Sequence, residues 1–178
     1  MPQEYNIPSW YDSDYDERTA AVLALVETAF RTELTSEDLA MISESCGYCV
    51  ASDLASHARL DWESPASNVG TRALFECPPH VFRLLFPSIA RAAIELFPRT
   101  RSAADDEYLV DELTSSLAVE VAGLERIGSI ADNLTNLETE ALVAWLVFVS
   151  KRDNECGWKA KRAIAMFWAA RLYELRGG

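Results

Sequence analysis

The chain contains no lysine before Lys151, and this absence makes its charge uneven. Residues 1–120 carry 21 acidic side chains against 8 arginines, whereas residues 121–178 carry 7 acids and 8 bases. The net charge of −12 therefore lies in the first two thirds of the chain. A charge of this size acts on association and solubility rather than on the choice of fold. It disfavours a phosphate-binding surface and favours a basic partner.

Histidine, cysteine and long apolar runs are also scarce. Two histidines are too few for a histidine-rich metal centre, and we expect the four cysteines to be reduced thiols in a chain with a substantial core. The longest apolar run, Ala141 to Val149, is too short for the roughly 20 residues that cross a bilayer. The first residues show no basic and apolar leader pattern, so we expect a cytoplasmic protein.

Alternating strand patterns are absent, and the apolar residues follow helical spacing instead. From Val22 to Leu34 they recur every three or four residues, which places them on one helical face. We predict an all-α, single-domain bundle of about six or seven helices over residues 17–178, with a loop near 61–79 where proline and glycine accumulate. Residues 1–16 are predicted to form an irregular acidic and aromatic lead segment.

Several residues mark where the helices begin. Asp14 or Asp16 is expected to cap the first helix. The spacing of Thr35 to Asp38 predicts a capping box at the second, and a similar box is predicted by Thr135-x-x-Glu138. Pro87 lies inside the apolar segment 81–97, where it is expected to kink the helix or split it into two pieces.

Cys46-Gly47-Tyr48-Cys49 is the one motif-like string. A redox-active pair of this kind normally follows a strand, but a helical pattern precedes this one. A zinc site would need a second pair of ligands, and the nearest candidates, His57, Cys77 and His80, form no recognised spacing. We interpret Cys46 and Cys49 as buried thiols and expect no metal and no cofactor. A small helical metal or thiol enzyme that uses Cys46, Cys49 and His57 is the alternative.

No glycine-rich phosphate loop, nucleophile elbow or dinucleotide fingerprint occurs in the chain. The sole basic cluster comprises Lys151, Arg152, Lys159, Lys161 and Arg162, and the acidic body would repel nucleic acid brought to it. We expect this cluster to pair with the acidic half of the protein or to be solvated. Direct nucleic-acid binding and membrane binding are not expected.

In size, acidity, helical content and lack of a catalytic motif, the chain resembles the immunity proteins that accompany bacterial toxins. The resemblance implies a non-enzymatic inhibitor that binds a cognate, basic toxin and blocks its active site. An acidic surface would speed this association by electrostatic steering, and aromatic side chains would supply the anchors. The candidate partner-binding residues are Trp10, Tyr11, Asp12, Asp14, Tyr15, Asp16, Asp105, Asp106 and Glu107. Alternatives are a nucleic-acid mimic that inhibits a nuclease and a subunit of a larger assembly.

Overall fold

Helices account for all the regular structure in the part of the chain that the computed structural model describes. That part comprises residues 13–31, 34–46, 74–75, 77–100 and 103–178, without the side chains of residues 92, 95–100 and 103–108. The helices are α1 (Tyr15–Ala29), α2 (Ser36–Cys46), α3 (Pro79–Thr100), α4 (Ala103–Ser116), α5 (Val119–Ala122), α6 (Leu124–Asp132), α7 (Asn136–Val149), α8 (Glu155–Ala163) and α9 (Ala169–Leu175). The all-α, single-domain prediction is confirmed.

Two features explain why the helix count differs slightly from the predicted six or seven. A π-helical turn, Ile164–Trp168, joins α8 to α9 without a break, so residues 155–175 form one continuous helix. Gly123 separates α5 from α6 with a φ of 84°, a conformation that side chains other than glycine adopt at a cost. With the last helix counted as one, the described residues form eight helices.

One core takes apolar side chains from most of the described helices, and α3 and α7 face each other within it. Trp145 of α7 has no exposed surface, and its indole N–H donates to the carbonyl oxygen of Ala90 in α3 at 3.1 Å. The ring of Phe86 meets this indole edge to face, with 6.2 Å between centroids. The indole of Trp168 donates to the carbonyl oxygen of Leu117, the residue after α4, at 3.0 Å and fastens the last helix to the end of α4. Two buried tryptophans thus tie helices that are distant in sequence.

Pro87 does not split α3. The helix is continuous from Pro79 to Thr100, although Pro87 lacks the N–H that would bond to the carbonyl of Arg83. Phe86 and Ile89, on either side of the proline, are both fully buried. Burial of residues on both sides of the proline holds the two halves of α3 within one core. Of the two expected outcomes, a kink or a split, the split does not occur.

Both predicted capping boxes are confirmed. The Thr35 N–H donates to the carboxylate of Asp38 at 2.7 Å, and the Asp38 N–H donates back to Thr35 Oγ1 at 3.2 Å. Thr135 and Glu138 make the same reciprocal pair at the start of α7. The start of α1 differs, because Asp14 occupies the cap position but its side chain accepts no capping hydrogen bond. That helix begins two residues before the predicted boundary at residue 17.

Asp38 should make stability depend on pH. Its carboxylate also accepts a hydrogen bond from the Arg31 guanidinium at 2.6 Å. Burial alone would raise the pKa of Asp38, but the hydrogen bonds from Thr35 and Arg31 outweigh it and lower the pKa below the usual 3.8. A carboxylate with a depressed folded-state pKa stabilises the protein above its unfolded pKa, and this contribution is lost as the pH falls through the folded pKa.

We therefore expect Asp38→Asn to lower the free energy of unfolding by about 1 to 2 kcal/mol at neutral pH. The deficit should begin to shrink below about pH 4, where the carboxylate of the unfolded chain takes up a proton, and should be lost as the pH falls through the lower pKa of the folded state. Urea unfolding of both proteins between pH 7 and pH 3 measures it. A deficit that stays constant over this range would show that the ionised carboxylate is not the stabilising group.

Candidate functional site

Two basic residues of the last helix, Lys159 and Arg162, are paired with acids from the first 120 residues. Lys159 Nζ lies 2.6 Å from the carboxylate of Asp111 in α4, and the Arg162 guanidinium pairs with Glu120 in α5. The expectation that the basic cluster pairs with the acidic half is confirmed for these two side chains. Arg152, a third member of the cluster, is only 2% exposed. The cluster is therefore not an open basic patch.

Further ion pairs neutralise acids in the C-terminal third. Arg171 lies 3.2 Å from Asp132, and Arg176 lies 3.4 Å from Glu140. Exposed pairs of this kind contribute little to stability, typically below about 1 kcal/mol. Their consequence here is electrostatic, because each one removes a negative charge from the surface that a partner would meet.

Four of the five exposed acids of α1 and α2 are not neutralised in this way, whereas the fifth, Glu27, pairs with Arg91 at 3.1 Å. Asp16 and Glu17 lie in the first turn of α1, Glu37 lies in the first turn of α2, and Glu44 follows two turns later. All four are exposed, and none forms an ion pair with any side chain that the structure describes. Three of them also complement the positive ends of their helices. We call these four residues the α1–α2 acidic set.

Tyr15 is a core residue and not a free anchor for a partner. It is 2% exposed, its hydroxyl donates to the carbonyl oxygen of Ile94 at 3.3 Å, and its ring lies 5.5 Å from that of Phe148. Its place among the candidate partner-binding residues is therefore corrected. Tyr15, Thr19 and Val22 follow the same helical spacing and are all buried, so extending the period backwards would have found it.

The other candidate partner-binding residues fall into three groups. Asp14 and Asp16 are exposed at the start of α1. The backbone of Asp105, Asp106 and Glu107 lies in the first turns of α4, and their side chains lie outside the described part. Three further candidates lie outside the described residues, namely Trp10, Tyr11 and Asp12.

A second charged cluster, between α4 and α8, has the composition of a catalytic site but not its electrostatics. Lys159 Nζ lies between Asp111 and Glu155 and is 3.4 Å from the hydroxyl of Ser115, while the thiol of Cys156 lies 3.9 Å from Asp111. Burial lowers the pKa of Lys159, but the hydrogen bonds and charges of the two carboxylates outweigh it and raise the pKa above 10.5. An amine held protonated cannot accept a proton from serine at neutral pH. We interpret this cluster as a structural ion-pair network.

The cysteines are arranged differently from the sequence-based interpretation. Cys46, the last residue of α2, is joined by a disulfide to Cys77, which precedes α3, with 5.3 Å between the two Cα atoms. The expectation of a reduced Cys46 thiol beside Cys49 is wrong for this structure, because the fold brings the end of α2 against the turn before α3. Cys49 and His57, which the alternative enzyme would use, lie outside the described residues.

The surroundings of the disulfide are polar on one side. Arg126 of α6 donates from Nη2 to the carbonyl oxygens of Leu74 and Cys77, at 2.5 and 2.9 Å. Burial lowers the pKa of the Arg126 guanidinium, and no carboxylate among the described residues pairs with it. From α3, Nε2 of His80 lies 3.5 Å from Ser45 Oγ, one residue before Cys46. This meeting of α2, α3 and α6 was not predicted from the sequence.

The sequence did contain one signal for it. Two residues separate Cys77 from His80, as two residues separate Cys46 from Cys49. Cys77 lies 31 residues after Cys46. Spacing inside each string says nothing about the distance between the two strings in space.

No helix in the described part of the chain is long and apolar enough to span a membrane. Comparisons with protein-family models, curated proteins and solved structures give no match. The function must therefore be argued from the charges and contacts of the chain itself.

Proposed function

We propose that this protein is a cytoplasmic, non-enzymatic inhibitor that binds a basic protein, in the manner of an immunity protein that neutralises a bacterial toxin. One observation carries the proposal. Five of the seven acids in residues 121–178, together with Asp111 and Glu120 facing the last helix, are paired with arginine or lysine, whereas the α1–α2 acidic set is exposed and has no ion-pair partner among the described side chains.

Electrostatics makes such an acid set suitable for binding. Unpaired carboxylates at helix starts keep their full charge in water and attract a cationic surface before contact is made. At physiological ionic strength the attraction extends over a Debye length of about 8 Å, so it acts in the last stage of approach. The expected benefit is a faster association rate and discrimination against acidic proteins, with affinity supplied by the contacts that follow.

The electrostatics of the Lys159 cluster support the non-enzymatic part of the proposal. The Lys159 cluster is the described site that most resembles catalytic machinery, and its amine is held in the protonated form by Asp111 and Glu155. Its chemistry is therefore that of a salt bridge between α4 and α8.

Co-expression with the product of the adjacent gene tests the proposal. We expect that product to be a basic protein which arrests growth when expressed alone. Growth should be restored when this protein is co-expressed, and the two should elute together as a complex. Adjacent genes without a toxic product, or a toxic product that this protein neither binds nor neutralises, would contradict the proposal.

Removing charge from the α1–α2 acidic set should slow association. The double variant Asp16→Asn, Glu17→Gln should lower the association rate constant with the basic partner by roughly threefold to tenfold at low salt. Stopped-flow or surface-plasmon measurements at about 50 mM salt can resolve this change.

The chain offers a matched control. Glu125 and Asp153 are also exposed and without an ion pair among the described side chains, but they lie at the start of α6 and in the turn before α8. Glu125→Gln, Asp153→Asn removes the same charge and should change the rate less than twofold. Equal slowing by both double variants would mean that net charge, and not this surface, governs association.

A further inference from the structure

Two pairs of potential metal ligands share one spacing in this chain. Cys46 and Cys49 are separated by two residues, and so are Cys77 and His80. Structural zinc sites are commonly built from two such pairs, supplied by segments that the fold brings together. Spacing alone is a weak indication of a metal site. The two segments must also lie close together in the structure.

The structure places one member of the first pair directly against the second pair. The Cys46 and Cys77 sulfurs are bonded, and their Cα atoms are 5.3 Å apart. The His80 ring reaches the end of α2, because its Nε2 lies 3.5 Å from Ser45 Oγ. Cys46 and His80 are partly exposed whereas Cys77 is 1% exposed, so the cluster lies at the surface with one ligand anchored in the core.

In the disulfide form, no group of three described side chains is placed to hold a metal. A sulfur in a disulfide is a poor ligand, and zinc is bound by thiolates. The cluster can therefore bind zinc only after the two sulfurs have been separated by reduction.

We propose that Cys46, Cys77 and His80 bind a zinc ion when the protein is reduced. A dithiol reductant supplies two electrons and two protons to the Cys46–Cys77 disulfide, which yields two thiols, and the reductant becomes an intramolecular disulfide. Each thiol then loses its proton as the thiolate binds Zn²⁺, and His80 binds through a neutral ring nitrogen. The described residues thus fill three of the four tetrahedral positions.

The positive charge of Arg126 is better matched by a site that carries negative charge than by an uncharged disulfide. It is a partly buried cation without a carboxylate partner among the described residues, and it donates to the backbone carbonyl of Cys77 itself. Two thiolates would bring negative charge beside this guanidinium, whereas a disulfide brings none. Groups of this kind, one shell beyond the metal, orient ligands and adjust the charge of the site. Arg126 is therefore assigned a positioning role.

Zinc here would be structural, because it would fasten the end of α2 to the start of α3. The inference stands apart from the proposed inhibitor function, and its test needs no partner protein.

The test uses the full chain, purified under reducing conditions with zinc in the medium. We expect one zinc per chain by elemental mass spectrometry, and cobalt exchanged into the site should show thiolate-to-cobalt charge-transfer absorption. Cys77→Ser and His80→Gln should each lower zinc affinity at least tenfold. The matched control is Cys156→Ser, which removes a buried cysteine near Asp111 and should retain one zinc.

His80→Gln changes a partly exposed side chain, so it keeps the test valid if Cys77→Ser does not fold. Arg126→Gln should weaken zinc binding about tenfold, and Arg126→Lys, which keeps the charge, should recover most of that loss. A reduced wild-type protein that binds no zinc, or unchanged zinc affinity in His80→Gln, would overturn the proposal.

Discussion

Replacing Trp145 by alanine is expected to lower the free energy of unfolding by about 3 to 5 kcal/mol. The side chain is fully buried between α3 and α7, so its removal leaves a large cavity that the neighbouring helices fill only in part. The carbonyl of Ala90 also loses its donor at 3.1 Å, and Phe86 loses its edge-to-face neighbour. Urea unfolding followed by circular dichroism measures the loss without depending on tryptophan fluorescence.

Trp158 provides the control for this prediction. It is 57% exposed, and its contact with the Arg162 guanidinium, 4.7 Å from the ring centre, lies at the surface. Trp158→Ala should cost less than about 1 kcal/mol. Similar losses in the two variants would show that the core does not lie where α3 and α7 meet.

Gly157→Ala should have the second largest effect, a loss of about 1 to 3 kcal/mol or more. A Cβ at this position would collide with the carbonyl oxygen of Arg152, a backbone atom that cannot swing away as a flexible side chain would. The Gly157 N–H also donates to the capping side chain of Asn154 at 3.1 Å, so a shift of this turn would disturb the start of α8. Thermal and urea unfolding of the variant measure the loss.

A glycine-to-alanine substitution in α6 should instead raise the free energy of unfolding. A Cβ at Gly128, inside α6, would meet no atom within 4 Å. Gly128→Ala should therefore stabilise the protein by about 0.5 to 1 kcal/mol, because alanine loses less backbone entropy in a helix. A loss of stability at position 128, or no loss at position 157, would contradict the packing described for α6 and α8.

Features that depend on neighbours in the sequence could be predicted from it. The capping boxes at Thr35 and Thr135 follow from side chains three residues apart, and the helical class follows from apolar spacing. The local effect of Pro87 suggested a kink or a split of α3, and the split does not occur because the surrounding core holds the helix together. Tyr15 was predicted to lie in the irregular lead segment and to bind a partner. Its helix begins at Tyr15, several residues before Val22, where the helical spacing of apolar residues becomes clear.

The candidate sites depend on pairing across long distances, which composition does not reveal. The sequence shows an excess of acids in the first 120 residues, but not that Asp111 and Glu120 are neutralised by Lys159 and Arg162. It likewise shows four cysteines without indicating that Cys46 meets one that is 31 residues away. Only the packing of the helices separates the acids available to a partner from those that are already paired.

The central claim is that the α1–α2 acidic set binds a basic partner by electrostatic attraction. Its most direct test is the association rate constant of the wild-type protein with the product of the adjacent gene, measured at about 50 and 200 mM salt. The account predicts a rate that is high at low salt and falls at least tenfold over this range. A rate that does not change with salt, or an absence of binding at either concentration, would contradict it.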